Sequence, residues 1–137
     1  MKNAESPAYV LDSFALLAYL QGEPAGKIVQ GLLEDARVLG ASIHMTEINY
    51  MEVKYILIRA RGEAAWRREA PQFAALPITY HPCDRTLADA AVKFKIRYAL
   101  SPADACAAAL SFTLRCPVVT GDAEFKPLAK EIKIKWI

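Results

Sequence analysis

Cysteine is scarce in this 137-residue chain, and Cys83, Cys106 and Cys116 are odd in number and lack C-x-x-C spacing. That excludes a disulfide framework and a cysteine zinc site, and it points to a reducing, cytoplasmic compartment. Long apolar runs are missing too: none approaches the roughly 20 residues that a membrane-spanning helix needs. The stretch from Met1 to Pro7 is polar, with Lys2 its only cation, and has neither the apolar centre nor the small-residue cleavage site of a secretory signal. No proline-, glycine- or serine-rich linker, repeat or low-complexity segment interrupts the sequence, so a single domain spanning residues 1–137 is expected. Neither sign of charge dominates, and a net charge of +2 permits binding to a polyanion without arguing for it. There is no phosphate-binding G-x-x-x-x-G-K loop, no G-x-S-x-G elbow and no H-E-x-x-H pair. His44 and His81 have no partner at ligand spacing along the chain and read as structural.

What is present is apolar material in short blocks. Hydrophobic residues make up 54% and charged residues 23%, enough for a sizeable core and too little charge for disorder. Ala8 to Leu11 reads as a buried strand that ends at Asp12-Ser13, a capping pair that opens a helix over Phe14 to Leu20. Ile28, Leu32, Leu33 and Ala36 recur at helical spacing until Gly40. A strand over Ala41 to His44 precedes Thr46, the cap of a helix that runs to Gly62 with Ile48, Met51, Tyr55 and Ile58 on one face. A further helix covers Glu63 to Ala75 and ends before Pro77. Ile78 to Tyr80 has strand character, Asp84 caps a helix bearing Leu87, Ala91 and Phe94, and Ser101-Pro102 opens an alanine-rich helix over Ala103 to Leu114. Val118-Val119 is another strand, Glu124 to Lys130 a short helix, and Ile132 to Ile137 a last strand. Strands separated by ten or more helical residues imply a parallel sheet with helices on both faces, whose functional crevice lies at the carboxyl ends of the strands.

Four acids stand where that topology matters. Asp12 and Asp122 each follow a strand directly, so both should reach the same sheet edge, although aspartate at either position is also a good helix cap. Glu52 falls beside Met51 and Tyr55 on the stripe expected to face the core, where a carboxylate requires a cation or a metal to stay ionised. Lys54 and Arg59 lie close in sequence, but helical geometry points neither toward it. Asp104 sits in the first turn of the alanine-rich helix, where it also favours the helix dipole. Together these acids make a hard-oxygen site suited to Mg2+ or Mn2+, able to activate water against a phosphodiester.

The segments Val10-Leu11-Asp12-Ser13, Ile48-Asn49-Tyr50-Met51-Glu52-Val53, Leu100-Ser101-Pro102-Ala103-Asp104-Ala105 and Val119-Thr120-Gly121-Asp122 stand in an order that resembles the PIN-domain family, in particular toxins of the VapC type. The resemblance spans nearly the whole chain. It implies a three-layer α/β/α Rossmann-like fold around a central parallel sheet, and Mg2+- or Mn2+-dependent cleavage of RNA by a homodimer. It matches Asp12, Glu52, Asp104 and Asp122 to the family's metal-binding, catalytic acids, Ser13 and Thr120 to supporting hydroxyl residues, and Glu124 to an outer ligand. Glu47 rivals Glu52, although the Ile-Asn-x-x-Glu-Val register favours Glu52. A small DNA-binding antitoxin that inserts a basic segment near the acids is the implied protein partner, with no membrane involved.

Cations placed to track RNA phosphates include Lys54, Arg59, Arg61, Arg67, Arg68, Lys93, Lys95 and Arg97, each of which also fits a solvated helix face. Two rivals bound the reading. One is a noncatalytic PIN-like module that binds RNA or protein and uses its acids only as caps. The other is a phosphotransfer domain, which would carry a second carboxylate next to Asp12, where Ser13 and Phe14 stand instead.

Overall fold

Val10 and Leu11 are adjacent in sequence and both fully buried, which requires apolar cover on both faces of the strand that carries them. The computed structural model describes residues 6–137, so most of the polar stretch read above for a secretory signal lies outside the described residues. Strand β1 (Ala8–Leu11) sits at the centre of a five-stranded sheet with β2 (Ser42–Thr46), β3 (Ile78–His81), β4 (Val118–Thr120) and β5 (Ile134–Trp136), in the order β3-β2-β1-β4-β5. Every pairing is parallel.

Period-two alternation divides the core. Leu11, Ile43, Met45 and Val119 pack on one face with α1 (Ser13–Leu20), α2 (Gly26–Val38), α3 (Glu47–Arg61) and α4 (Glu63–Ala74). Val10 and Val118 pack on the other with α5 (Arg85–Arg97), α6 (Pro102–Leu114) and the 3-10 helix Ala123–Lys130. The result is the expected α/β architecture of three layers around a parallel sheet. None of the described helices is long and apolar enough to cross a membrane.

Element boundaries depart from expectation at β2 and at β5, whereas the break at Gly62 falls where it was expected. β2 runs on to Thr46, which both ends the strand and caps α3 by accepting a hydrogen bond from the Asn49 amide. β5 is shorter than the apolar run suggests, and the segment before it winds as a 3-10 helix around Pro127, which cannot donate an intrahelical hydrogen bond. Gly62 joins α3 to α4 at φ +88°, a conformation that L side chains rarely adopt.

The chain steps outward from β1 through β2 to β3 and then returns to the far side of β1 as β4, so strand order reverses between β1 and β4. At such a reversal the neighbouring loops diverge and leave a crevice at the carboxyl ends of the two strands. Asp12 follows β1 at that crevice, and Asp122 follows β4.

Candidate metal centre

Asp12 is 1% exposed, and its position explains why it stays there. One carboxylate oxygen accepts the Ala15 amide at 2.9 Å and so caps α1; the other accepts the Thr120 hydroxyl from β4. Asp12 therefore caps α1 and at the same time ties the end of β1 to β4. Burial, assisted by the charges of Asp104 and Asp122, pushes its carboxyl up to about 7 against the lowering effect of those two hydrogen bonds. The Thr120 hydroxyl also accepts the Asp122 amide at 3.0 Å, and Asp122 in turn accepts the Glu124 amide at 2.9 Å. A single buried hydroxyl thus orients the acids of β1 and β4.

Asp104 arrives from a third element. Ser101 caps α6 by accepting the Asp104 amide at 3.1 Å, and the small residues Ala103, Ala105, Ala107 and Ala108 let this helix settle against the sheet. Carboxylate oxygens of Asp104, Asp122 and Glu124 lie within 4.8 Å of one another. Burial raises the Asp104 carboxyl to about 6, assisted by the charges of Asp122, Glu52 and Glu124. The structure therefore brings Asp104, Asp122 and Glu124 into one cluster, sets Asp12 behind it, and places Glu52 where Asp104 feels its charge. Every ion pair among the described residues, Arg61–Glu69, Arg67–Glu63 and Arg97–Glu131, lies elsewhere. Converging carboxylates without a lysine or arginine counter-charge fit a hard divalent cation, which takes oxygen ligands and relieves their repulsion.

Glu52 reaches this place by a different face from the one expected. Met51 and Tyr55 are 60% and 57% exposed, and the buried residues of α3 are Asn49, Val53 and Leu57. Glu52 is half-buried on the flank of that face, next to Val53. Counting only apolar residues hides the true stripe, because its first member is polar. Asn49 is fully buried and donates through Nδ2 to the Ser13 hydroxyl at 3.0 Å, while Thr46 donates to its amide oxygen. The hydrogen bonds of Ser13 go to Asn49 and not to an acid among the described residues: it also donates to the Asn49 carbonyl at 3.4 Å and so clamps the start of α1 to α3. Asn49 is thus a buried polar residue that sequence reasoning missed, held by the same Thr46 whose capping role was expected. An asparagine three residues after a capping threonine was the available signal. Glu47 is exposed, and its charge is felt by Tyr80 on β3.

The histidines are partners after all: Nδ1 of His44 and Nε2 of His81 are 2.8 Å apart on neighbouring strands. Burial, and then the neighbouring His81, hold His44 below the usual imidazole range. All three cysteines are free, and burial raises the Cys106 thiol to about 11.

The double role of Thr120 gives a direct test of the arrangement. In Thr120→Val the Asp12 carboxylate loses its donor and the Asp122 amide loses its acceptor, while volume is nearly kept. If the cluster holds Mn2+, its affinity is expected to fall about 10- to 100-fold, with the helical circular dichroism unchanged. Mn2+ binding as in the wild type would show that the hydroxyl does not orient the acids.

The model of the PIN domain matches residues 9–131. No curated protein matches significantly. Among solved structures, VapBC2 from Rickettsia felis, bound to a DNA fragment from its promoter, superposes with a TM-score of 0.70 at 12% identity, covering 95% of this chain and 99% of that one. VapC20 from Mycobacterium tuberculosis, described as a sarcin-ricin loop cleaving toxin, gives 0.71 at 14% identity over 94% and 99%. VapBC-1 from nontypeable Haemophilus influenzae gives 0.66 at 14% identity over 94% and 97%. At these identities the three share the fold.

Proposed function

Since this chain belongs to the PIN-domain family, we propose that it is a divalent-metal-dependent endoribonuclease and the toxin of a VapBC-type toxin-antitoxin pair. The observation that carries the reading is the meeting of Asp104 with Asp122 and Glu124, with Asp12 behind them, from three segments and with none of them in an ion pair among the described residues. Asp104, Asp122 and Glu124 would hold Mg2+ or Mn2+, with Glu52 adding a carboxylate from the α3 side. Bound there, the ion supplies Lewis-acid stabilisation of the scissile phosphodiester and lowers the pKa of attacking water. Asp12 is the positioning acid: Thr120 and the α1 amide fix both of its oxygens, so its charge stays behind the cluster. The buried surroundings exclude bulk water from that side and strengthen each charge interaction.

In this reading the chain works in the cytoplasm as a homodimer, and a small DNA-binding antitoxin restrains it with a basic segment laid against the acids. The VapBC complexes among the structural neighbours support such a partner. The decisive experiment is cleavage of a fluorescent single-stranded RNA with Mn2+, with excess EDTA, and in Asp104→Asn. Cleavage is expected only in the first arm. Cleavage that survives chelation or the Asp104→Asn substitution would leave the metal reading without support.

A further inference from the structure

Most of the cations singled out on helices are already engaged. Arg61, Arg67 and Arg97 are in ion pairs, and Lys95 donates to the Leu100 carbonyl at 2.6 Å. Lys54 lies over the Trp66 ring and Arg59 over that of Tyr55. Among the described residues, the cations left without an ion pair include a set that helix-based reasoning overlooks. An open cleft of about 730 Å³ runs along the edge strand β5, lined by Tyr9, Pro117, Lys130, Lys133, Lys135 and Trp136. Glu131, the carboxylate on the same wall, is matched by Arg97 at 2.6 Å and receives the Tyr98 hydroxyl. The cleft is therefore positive.

Its direction relates it to the acids. β5 runs parallel to β4, with Val119 opposite Lys135 and Thr120 opposite Trp136. Trp136, 44% exposed, thus stands level with the hydroxyl that orients Asp12 and Asp122. At about 3.3 Å per residue, Lys133 to Trp136 covers about 10 Å of strand leading away from the metal centre. Lys135 and Trp136 point to opposite faces of β5 but both border its open edge, and lysines along an edge with an exposed indole at its head match the way single-stranded nucleic acid is held, with phosphates on cations and bases stacked on an aromatic ring.

We propose that the β5 edge is the substrate track: single-stranded RNA leaving the acid cluster stacks a base on Trp136 and lays its phosphates against Lys135, Lys133 and Lys130. This rests on the nuclease reading and names the strand's path within it. An incoming protein strand is the competing occupant, but lysines on a short edge strand oppose strand addition.

The test measures binding of a fluorescent 12-nucleotide single-stranded RNA to Asp104→Asn protein by anisotropy across a salt series. Each phosphate contact contributes about 0.7 to the slope of log K against log salt for single strands. The triple variant Lys130→Ala/Lys133→Ala/Lys135→Ala is expected to lower that slope by about 2 and weaken binding more than 10-fold at low salt, and arginine at all three positions should restore it. Trp136→Leu should weaken binding about 10-fold without changing the slope. An unchanged slope in a triple variant with normal circular dichroism overturns the track, whether the edge is bare or taken by a protein strand. If wild-type protein cleaves RNA but the triple variant binds as before, only the track is lost. If wild-type protein neither binds nor cleaves RNA, the nuclease reading falls with it.

Discussion

Asparagine at position 12 is expected to abolish RNA cleavage, by about 1,000-fold or more, and at the same time to stabilise the metal-free protein. The two effects share one cause. Asp12 is 1% exposed, and its carboxyl is pushed up to about 7 by burial and by Asp104 and Asp122. At neutral pH the metal-free fold therefore carries a carboxylate it would hold more easily as a neutral group. Asparagine keeps the shape and can still accept from Ala15 or Thr120, but removes the charge. A gain of about 1 to 2 kcal/mol is expected, limited because the amide has one acceptor where the carboxylate has two. For cleavage the loss is larger, since Asp12 sets the charge and geometry behind the cluster, and groups that act as one unit fail together when one is altered. Chemical denaturation at pH 7.5 in EDTA, with RNA cleavage in Mn2+, checks both halves. A variant that is inactive because it is less stable than wild type would show Asp12 to be an ordinary structural cap.

Strand-end acids are legible in this sequence because their neighbours advertise the ends. Asp12 follows a short apolar run, Asp122 follows Val118 to Thr120, and Asp104 sits three residues after the capping Ser101. Local pattern suffices where position along one element decides position in space. It fails where burial depends on partners from another element. α3 buries Asn49 because Ser13 and Thr46 satisfy its amide, a condition set by α1 and β2 that periodicity in α3 alone cannot express. Met51 and Tyr55 then fall on the exposed side, and Glu52 reaches the acids from the flank of the buried face.

The same limit hides His44 from His81, which are 37 positions apart but meet through the pairing of β2 with β3. It also hides the lysine track. Lys133 and Lys135 read as alternating polar residues of a half-buried strand, and only the strand order puts them on an open edge beside the site. Charge counting on helices finds mostly cations that the fold has already engaged, and it overlooks those that edge position leaves available on β5.

A last expected result sets metal against pH. Folded Asp12 and Asp104 hold their protons up to about 7 and about 6, above the ordinary value of 3.8 that the unfolded chain shows. The folded state thus binds more protons than the unfolded state between about pH 4 and 7, and metal-free stability must fall as pH rises through that window. His44, held below its usual range, works in the opposite sense as pH drops below the ordinary imidazole value of 6.5. It belongs to the β2–β3 pair, so comparing metal-free with metal-saturated protein at each pH removes its contribution. Mn2+ binds the deprotonated acids, so saturation should convert the penalty at pH 7.5 into a gain of about 2.7 kcal/mol at 100 times Kd. For a chain of this size that is a rise in melting temperature of roughly 8 to 12 °C. The rise should shrink toward zero at pH 5, where protons compete for the same oxygens. Differential scanning calorimetry with and without Mn2+ reads the whole surface. A metal-induced rise of equal size at pH 5 and 7.5 would place binding on carboxylates of ordinary acidity, away from Asp104 and beyond the reach of the Asp12 charge.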